Sequence, residues 1–201
     1  MSIPKSAQAS IEAAVKAAER GTRGEIVVAV TRQSDAYGGP RLAFAFAIGL
    51  LAVVGALMLD APSWLVALAW PLAGVLGFAV TLVPAVGRAI VPDDEVEAEV
   101  LESAKAAFFD HGVHRTADRA GVLVYLSLLE RRVVVLADSG VHAVVGEQGW
   151  QAHVAAIVAS MREGHPEALA GVVAAVGAVL VEHFPARPGD VNELPDAPRV
   201  G

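Results

Sequence analysis

Cysteine is absent from the sequence, so no disulfide braces the fold and no thiolate can hold a metal. Aromatic side chains are scarce, and 15 Lys and Arg stand against 22 Asp and Glu. With that acidic balance and no stripe of alternating basic and aromatic residues, nucleic acid is not expected as a partner. The sequence has no GxxxxGK[ST], no GxGxxG after a strand, no HExxH and no GxSxG. The first 30 residues show no apolar run ahead of a cleavage site, so no signal peptide is expected.

The most consequential absence is local. Between Arg41 and Arg88 the only ionisable residue is Asp60. Leu42 to Leu59 would span roughly 27 Å as a helix, and Trp64 to Gly87 about 36 Å. A bilayer's hydrocarbon core is about 30 Å thick, so both runs are long enough to cross it. The short Asp60-Ala61-Pro62-Ser63 link allows only an antiparallel hairpin, giving membrane helices at 42–60 and 64–87. The alternative is a pair of buried core helices, which normally carry a polar stripe. Lys5, Lys16, Arg20, Arg23, Arg32, Arg41 and Arg88 flank the hairpin. The positive-inside rule therefore places both termini in the cytoplasm. Without ionisable groups at depth, the hairpin reads as an anchor in the lipid bilayer rather than an ion pathway.

The rest reads as a single α/β domain, 1–40 plus 89–184, interrupted by the hairpin. Pro4 to Arg20 has a narrow apolar stripe, Ile11, Ala14, Val15 and Ala18, and predicts a helix. Glu25 to Thr31 is β-branched and predicts a strand. Pro92-Asp93-Asp94 opens a second helix whose Val96, Val100, Ala104 and Phe108 recur at i, i+4, and Gly112 closes it. Gly121–Leu128 and Arg132–Asp138 predict two strands joined by a turn at Leu129-Glu130-Arg131. Their near-continuous apolar character implies a sheet covered on both faces. Trp150, Val154, Ile157, Val158 and Met161 define a third helix, and Pro166 to Phe184 a fourth, too short to span a bilayer. Residues 185–201 are Pro-rich and are expected to have no fold of their own. The fold class is thus α/β, a mixed sheet sandwiched by helices. The second and third strands pair antiparallel, and the second helix serves as a crossover if the first two strands are parallel.

These segments resemble the TPM domain family. The resemblance rests on Thr22-Arg-Gly-Glu25-Ile-Val-Val, Ala106-Ala107-Phe108, Arg119-Ala-Gly-Val-Leu-Val124 and Arg131-Arg-Val-Val-Val-Leu-Ala-Asp138-Ser-Gly140. His183-Phe-Pro185 and Asn192-Glu-Leu-Pro-Asp196 look like a bacterial membrane branch with a hairpin inserted after the first strand. The resemblance implies location in the bacterial inner membrane, and one of two roles. One is a metal-dependent phosphatase; the other is a helper in assembling or repairing membrane complexes. Members credited with metal binding carry an acidic Asp-Asn pair just before Gly-Val-Leu. Here that place is Arg119-Ala120, so a cation replaces one ligand.

The candidate chemistry is sparse. Asp138 follows a strand and offers a hard oxygen ligand for Ca²⁺ or Mg²⁺, or closes an Asx-turn before Gly140. Asp118 is a second, displaced candidate. Arg115 and Arg119 bracket a polar loop and are candidates for holding phosphate, or are solvated. Gly121 and Gly140 are read as structural. His111 and His114 have HxxH spacing, but Gly112 is expected to break the helix between them; His142 is an isolated imidazole. Arg131 and Arg132 belong to a hairpin turn, with anionic lipid headgroups as an alternative contact. Two functions follow. The first is a membrane-tethered, non-catalytic module that binds a membrane or cytoplasmic protein; the second is a divalent-metal phosphatase using Asp138 with Arg115 or Arg119.

Overall fold

The structure, a computed structural model, describes residues 3–146, 150, 152, 154, 155 and 169–201. They divide into two compact units, Met1–Ser34 with Glu97–Gly201, and Asp35–Val96.

The first unit is a mixed α/β fold. Its elements are α1 (Lys5–Glu19), β1 (Glu25–Thr31), the part of α5 (Asp93–Asp110) from Glu97 onward, and β2 (Gly121–Ser127). β3 (Arg132–Ala137), α6 (Ser139–Val145), α7 (Leu169–His183) and β4 (Arg199–Val200) complete it. The sheet order is β3-β2-β1-β4. β1 and β2 run parallel with Val28 opposite Val124, and β2 and β3 are antiparallel with Val124 opposite Val135. Every residue of β2 is buried, as its unbroken apolar run demands of a central strand.

Alternation sends Ile26, Val28, Val122 and Val124 to one face. There they join Ile11 and Val15 of α1 and Val172, Val176 and Leu180 of α7 in the main core. Burying each such side chain contributes about 1.5–3 kcal/mol. α1 and α7 approach closely because α7 is rich in small residues. A Cβ on Gly177 would lie 2.5 Å from that of Ala18. Val27, Leu123 and Tyr125 point to the opposite face and are also buried, as are Val100, Ala104 and Phe108 of α5. Gly112, at φ 72°, ends α5 as its sequence position predicts. Of the predicted third helix, Trp150 and Val154 are helical, while Ile157, Val158 and Met161 lie outside the described residues. So do Pro166 to Ala168 of the fourth.

The tail differs from expectation. Residues 185–201 do join the domain: Pro185 bridges Thr22, and β4 adds a fourth strand parallel to β1 at Ala29 and Val30. The segment's Pro-rich composition does not prevent this, because it is held by hydrogen bonds to the Glu25 carboxylate and by backbone pairing with Gly21 and β1.

The second unit holds α2 (Gly38–Met58), α3 (Ser63–Thr81) and α4 (Pro84–Ala89). α2 and α3 are antiparallel neighbours. The Phe46 and Trp70 rings meet edge-on at 5.7 Å, and a Cβ on Gly77 would touch Ile48 at 3.1 Å. Both helices are long and apolar enough to cross a membrane, with mean hydropathies of 2.2 and 1.8. Only 11% of each apolar window is buried, whereas a core helix of a soluble domain would be mostly enclosed. The second apolar run is not one helix to Gly87, as its length suggested. Pro84 forces Val83 into an extended conformation (ψ 119°) and takes the first position of a new short helix.

Candidate functional site

Of the charged residues singled out in the sequence, Asp118, Arg119 and Asp138 lie near the amino end of β2. The loop before β2 is the hub. Arg119 adopts φ 55° and turns its guanidinium toward Asp138, Nε lying 3.5 Å from Oδ2, while Nη1 donates to the His114 carbonyl. Asp118 points elsewhere. Its Oδ2 is 2.6 Å from Arg23 Nε and 3.7 Å from Arg187 Nη1. Arg115 belongs to a separate cleft of about 320 Å³, lined also by Thr116 and Glu193. The two arginines proposed to hold phosphate are therefore not brought together.

Asp138 is the N-cap of α6. Its Oδ1 accepts from Ser139 N at 2.7 Å and from the Ser139 hydroxyl at 3.2 Å. This is a capping role at the start of α6, with an added charge pair to Arg119; the Gly140 amide, which an Asx-turn would use, donates to the Arg119 carbonyl instead. The donor set does not fit Ca²⁺ or Mg²⁺. Asp138 faces a guanidinium and Asp118 faces two others. Among the described residues no three of His, Cys, Asp and Glu converge on a possible ion. The HxxH pair is split at Gly112, with the His114 ring against Phe109 at 5.0 Å. His142 sits edge-on to Trp150 at 6.4 Å.

Gly140 and Gly121 are positions of close approach. A Cβ on Gly140 would stand 2.5 Å from the Asp118 carbonyl and 2.6 Å from that of Arg119, and one on Gly121 would collide with the Val113 carbonyl. These contacts seat the 118–121 loop against α6 and the turn after α5. Gly140 N donates to Arg119 O at 3.0 Å in the same seat.

Several site residues were not singled out in the sequence. Glu25, buried at the head of β1, accepts from Glu193 N at 3.0 Å and Leu194 N at 3.2 Å. Glu193 in turn accepts the Ala117 amide at 3.1 Å. Thr22 Oγ1 donates to the Phe184 carbonyl at 2.6 Å. A charge at the first position of an otherwise apolar strand was the visible signal for Glu25.

Beside it lies an open cleft of about 380 Å³ lined by Glu19, Glu25, Asp196, Arg20 and Arg187. Burial, with the neighbouring Glu25 and Asp196 carboxylates, pushes the Glu19 carboxyl up to about 8, against the Ile26 N–H that favours its charged form. Glu25 is also raised, chiefly by burial. The neutral form of Glu19 is thereby favoured, chiefly by burial, with the Asp196 carboxylate acting in the same direction.

No family model matches the chain, and no curated protein matches it. The fold is similar to the NMR structure of the BA42 protein from the psychrophilic bacterium Bizionia argentinensis. The two are 18% identical over 99% of this chain and 95% of that chain, with a TM-score of 0.61, a likeness of fold.

Proposed function

We propose that this chain is a membrane-anchored, TPM-like module that presents its α/β domain at the cytoplasmic face of a bacterial inner membrane. There it acts as a non-catalytic binding or assembly factor for a membrane protein complex. The observation that carries the reading is the pair of apolar helices, exposed along most of their length, inserted in sequence between β1 and β2. Leu50, Leu57, Leu72 and Leu76 are each more than half exposed. Such surface is stable in lipid and costly in water. Beyond Arg41 in the first turn of α2, neither helix carries an ionisable group, which supports an anchor. The non-catalytic reading is supported by Asp118 and Arg119 before β2 and Asp138 after β3, which form ion pairs with Arg23 and with one another.

The test uses the lack of native cysteine. Single cysteines at Lys5, Ala61 and Asp196 are labelled in intact cells with an impermeant maleimide, after carbonate washing has confirmed membrane retention. Labelling at 61 alone is expected, and release by carbonate or labelling at 5 or 196 retires the topology. Purified protein is expected not to hydrolyse p-nitrophenyl phosphate with Mg²⁺ or Ca²⁺. Turnover that needs the metal and is lost in Asp138→Asn would replace the module by the phosphatase.

A further inference from the structure

A second cleft, about 340 Å³, lies away from the loops before β2, on the α5 side of the sheet. Its lining includes Thr31, Ser34, Ser103, His111, Tyr125 and Arg199. The topology makes this a place where ligands collect. The chain leaves β1 through α5 to reach β2 on one side, and reaches β4 on the other side only after α7. α7 packs in the core on the opposite face of the sheet. Crevices where connections diverge in this way, outside the carboxyl ends of parallel strands, are the binding positions of open α/β sheets.

The chemistry of the lining is that of an incomplete anion site. Arg199 pairs with Ala29 in register, which puts its side chain on the Tyr125 face. Among the described residues it makes no ion pair, and its Nε is shielded from solvent with no acceptor. A desolvated cationic donor without an acceptor is costly, and an oxyanion is the group that satisfies a guanidinium fork. Hydroxyls stand beside it. Ser34 Oγ and Tyr125 Oη share one contact at 3.3 Å, so of their two protons one is left to donate. Ser103 donates to the Ser34 carbonyl at 3.0 Å and fixes the loop. Asp110 is the opposing charge in the lining. At the neighbouring His111, burial and the field of Arg199 together hold the imidazole below its usual value, and Arg199 outweighs Asp110.

We propose that this cleft binds a small oxyanion of the phosphate class, with Arg199 as the charged anchor and the Ser34–Tyr125 hydroxyl pair as the neutral donor. The site is independent of Asp138 and of the membrane reading. It would take a free phosphate or the phosphomonoester headgroup of a lipid.

The experiment titrates the full chain, in uncharged detergent, with inorganic phosphate and separately with dihexanoyl phosphatidic acid. Calorimetry and the Arg199 Nε–H resonance are read together. Saturable binding that moves this resonance is expected, weakened about tenfold or more in Arg199→Gln and unchanged in Arg20→Gln. Binding of phosphate identifies a free anion as sufficient; binding of the short-chain lipid alone identifies the headgroup as the source. The site is overturned if neither probe saturates at millimolar concentration, or if Arg199→Gln binds as the parent does. A stationary Arg199 resonance during binding overturns it even where the variant does not fold.

Discussion

The carboxylate of Glu25 receives the amides of Glu193 and Leu194, 168 and 169 residues later in the chain. One side chain at the head of β1 thus holds the segment that leads to β4. Glu25→Ala leaves two amides without their acceptor and is expected to cost about 2–3 kcal/mol. Hydrogen exchange should show residues 193 and 194 losing protection ahead of β2, and uniform protection would assign the segment another support.

Glu19 makes stability depend on pH. Its folded value, about 8, lies above the usual 4.5, so the native state holds the extra proton. The contribution is complete below about 4.5 and is lost as pH rises through 8. Allowing for solvent screening of a side chain that is partly exposed, the loss is about 1–2 kcal/mol. Glu19→Gln keeps an acceptor for Ile26 N and supplies a permanent donor to Asp196. Denaturant midpoints between pH 5 and 9 should fall for the parent and stay flatter for the variant.

Asp138 should behave as a cap. Asp138→Ala is expected to cost about 1 kcal/mol, and Asp138→Asn, which can still accept from Ser139 N, less than half of that. Thermal unfolding with and without millimolar Ca²⁺ measures both roles. A calcium-dependent rise in the parent's midpoint that Asp138→Asn abolishes would restore the ligand reading.

Val28 lies at the centre of the sheet, 2% exposed, opposite Val124. Val28→Asp buries a charge without a partner and should remove at least 3–4 kcal/mol. The same partnership predicts that a fragment of residues 89–184 is far less stable than the full chain. Equal denaturant midpoints would show that β1 is dispensable.

In the hairpin, Gly49 is the point of contact. A Cβ there would stand 2.8 Å from Trp70 Nε1 and 2.9 Å from the Trp70 carbonyl. A cysteine pair at Ala45 and Gly74 should crosslink readily in the full chain, and Gly49→Val should slow that crosslinking several-fold. An unchanged rate would mean that α2 and α3 do not depend on this approach.

How far the sequence could be read follows from what kind of force holds each part. β1 and β2 were legible because burial wrote itself as apolar runs, and the stripe Ile11–Val15 marked the buried face of α1 in the same way. β3 was legible by its apolar run too, but only Val135 of it is buried, so the cover that the run implied does not extend over this edge strand. At Asp138 the Asp-Ser-Gly after a strand suggested a turn onto Gly140, but the carboxylate caps α6 at Ser139 N. The break at Pro84 was written in the sequence, but the length of the apolar run masked it. Residues 185–201 were misread from their Pro-rich, turn-forming composition. Their ties, through Glu25, Glu193 and Thr22, are polar and reach across the chain, where no local pattern reveals them. The cleft at Arg199 was invisible for the same reason. It needs α5, β2 and β4 in place before Ser103, Tyr125 and Arg199 meet.

The place of β1 in the sheet sets a timetable for synthesis. Its neighbours, β2 and β4, both come after the hairpin. At ~5–20 residues per second, the stretch of about 90 residues from Arg32 to Ala120 keeps Ile26–Val30 waiting for about 5–20 s before any partner exists. During that interval an apolar strand has two open edges, the condition under which chains associate with one another. Ribosome pauses placed between residues 31 and 121 should therefore raise aggregation of the nascent chain, and pauses after β2 has emerged should not.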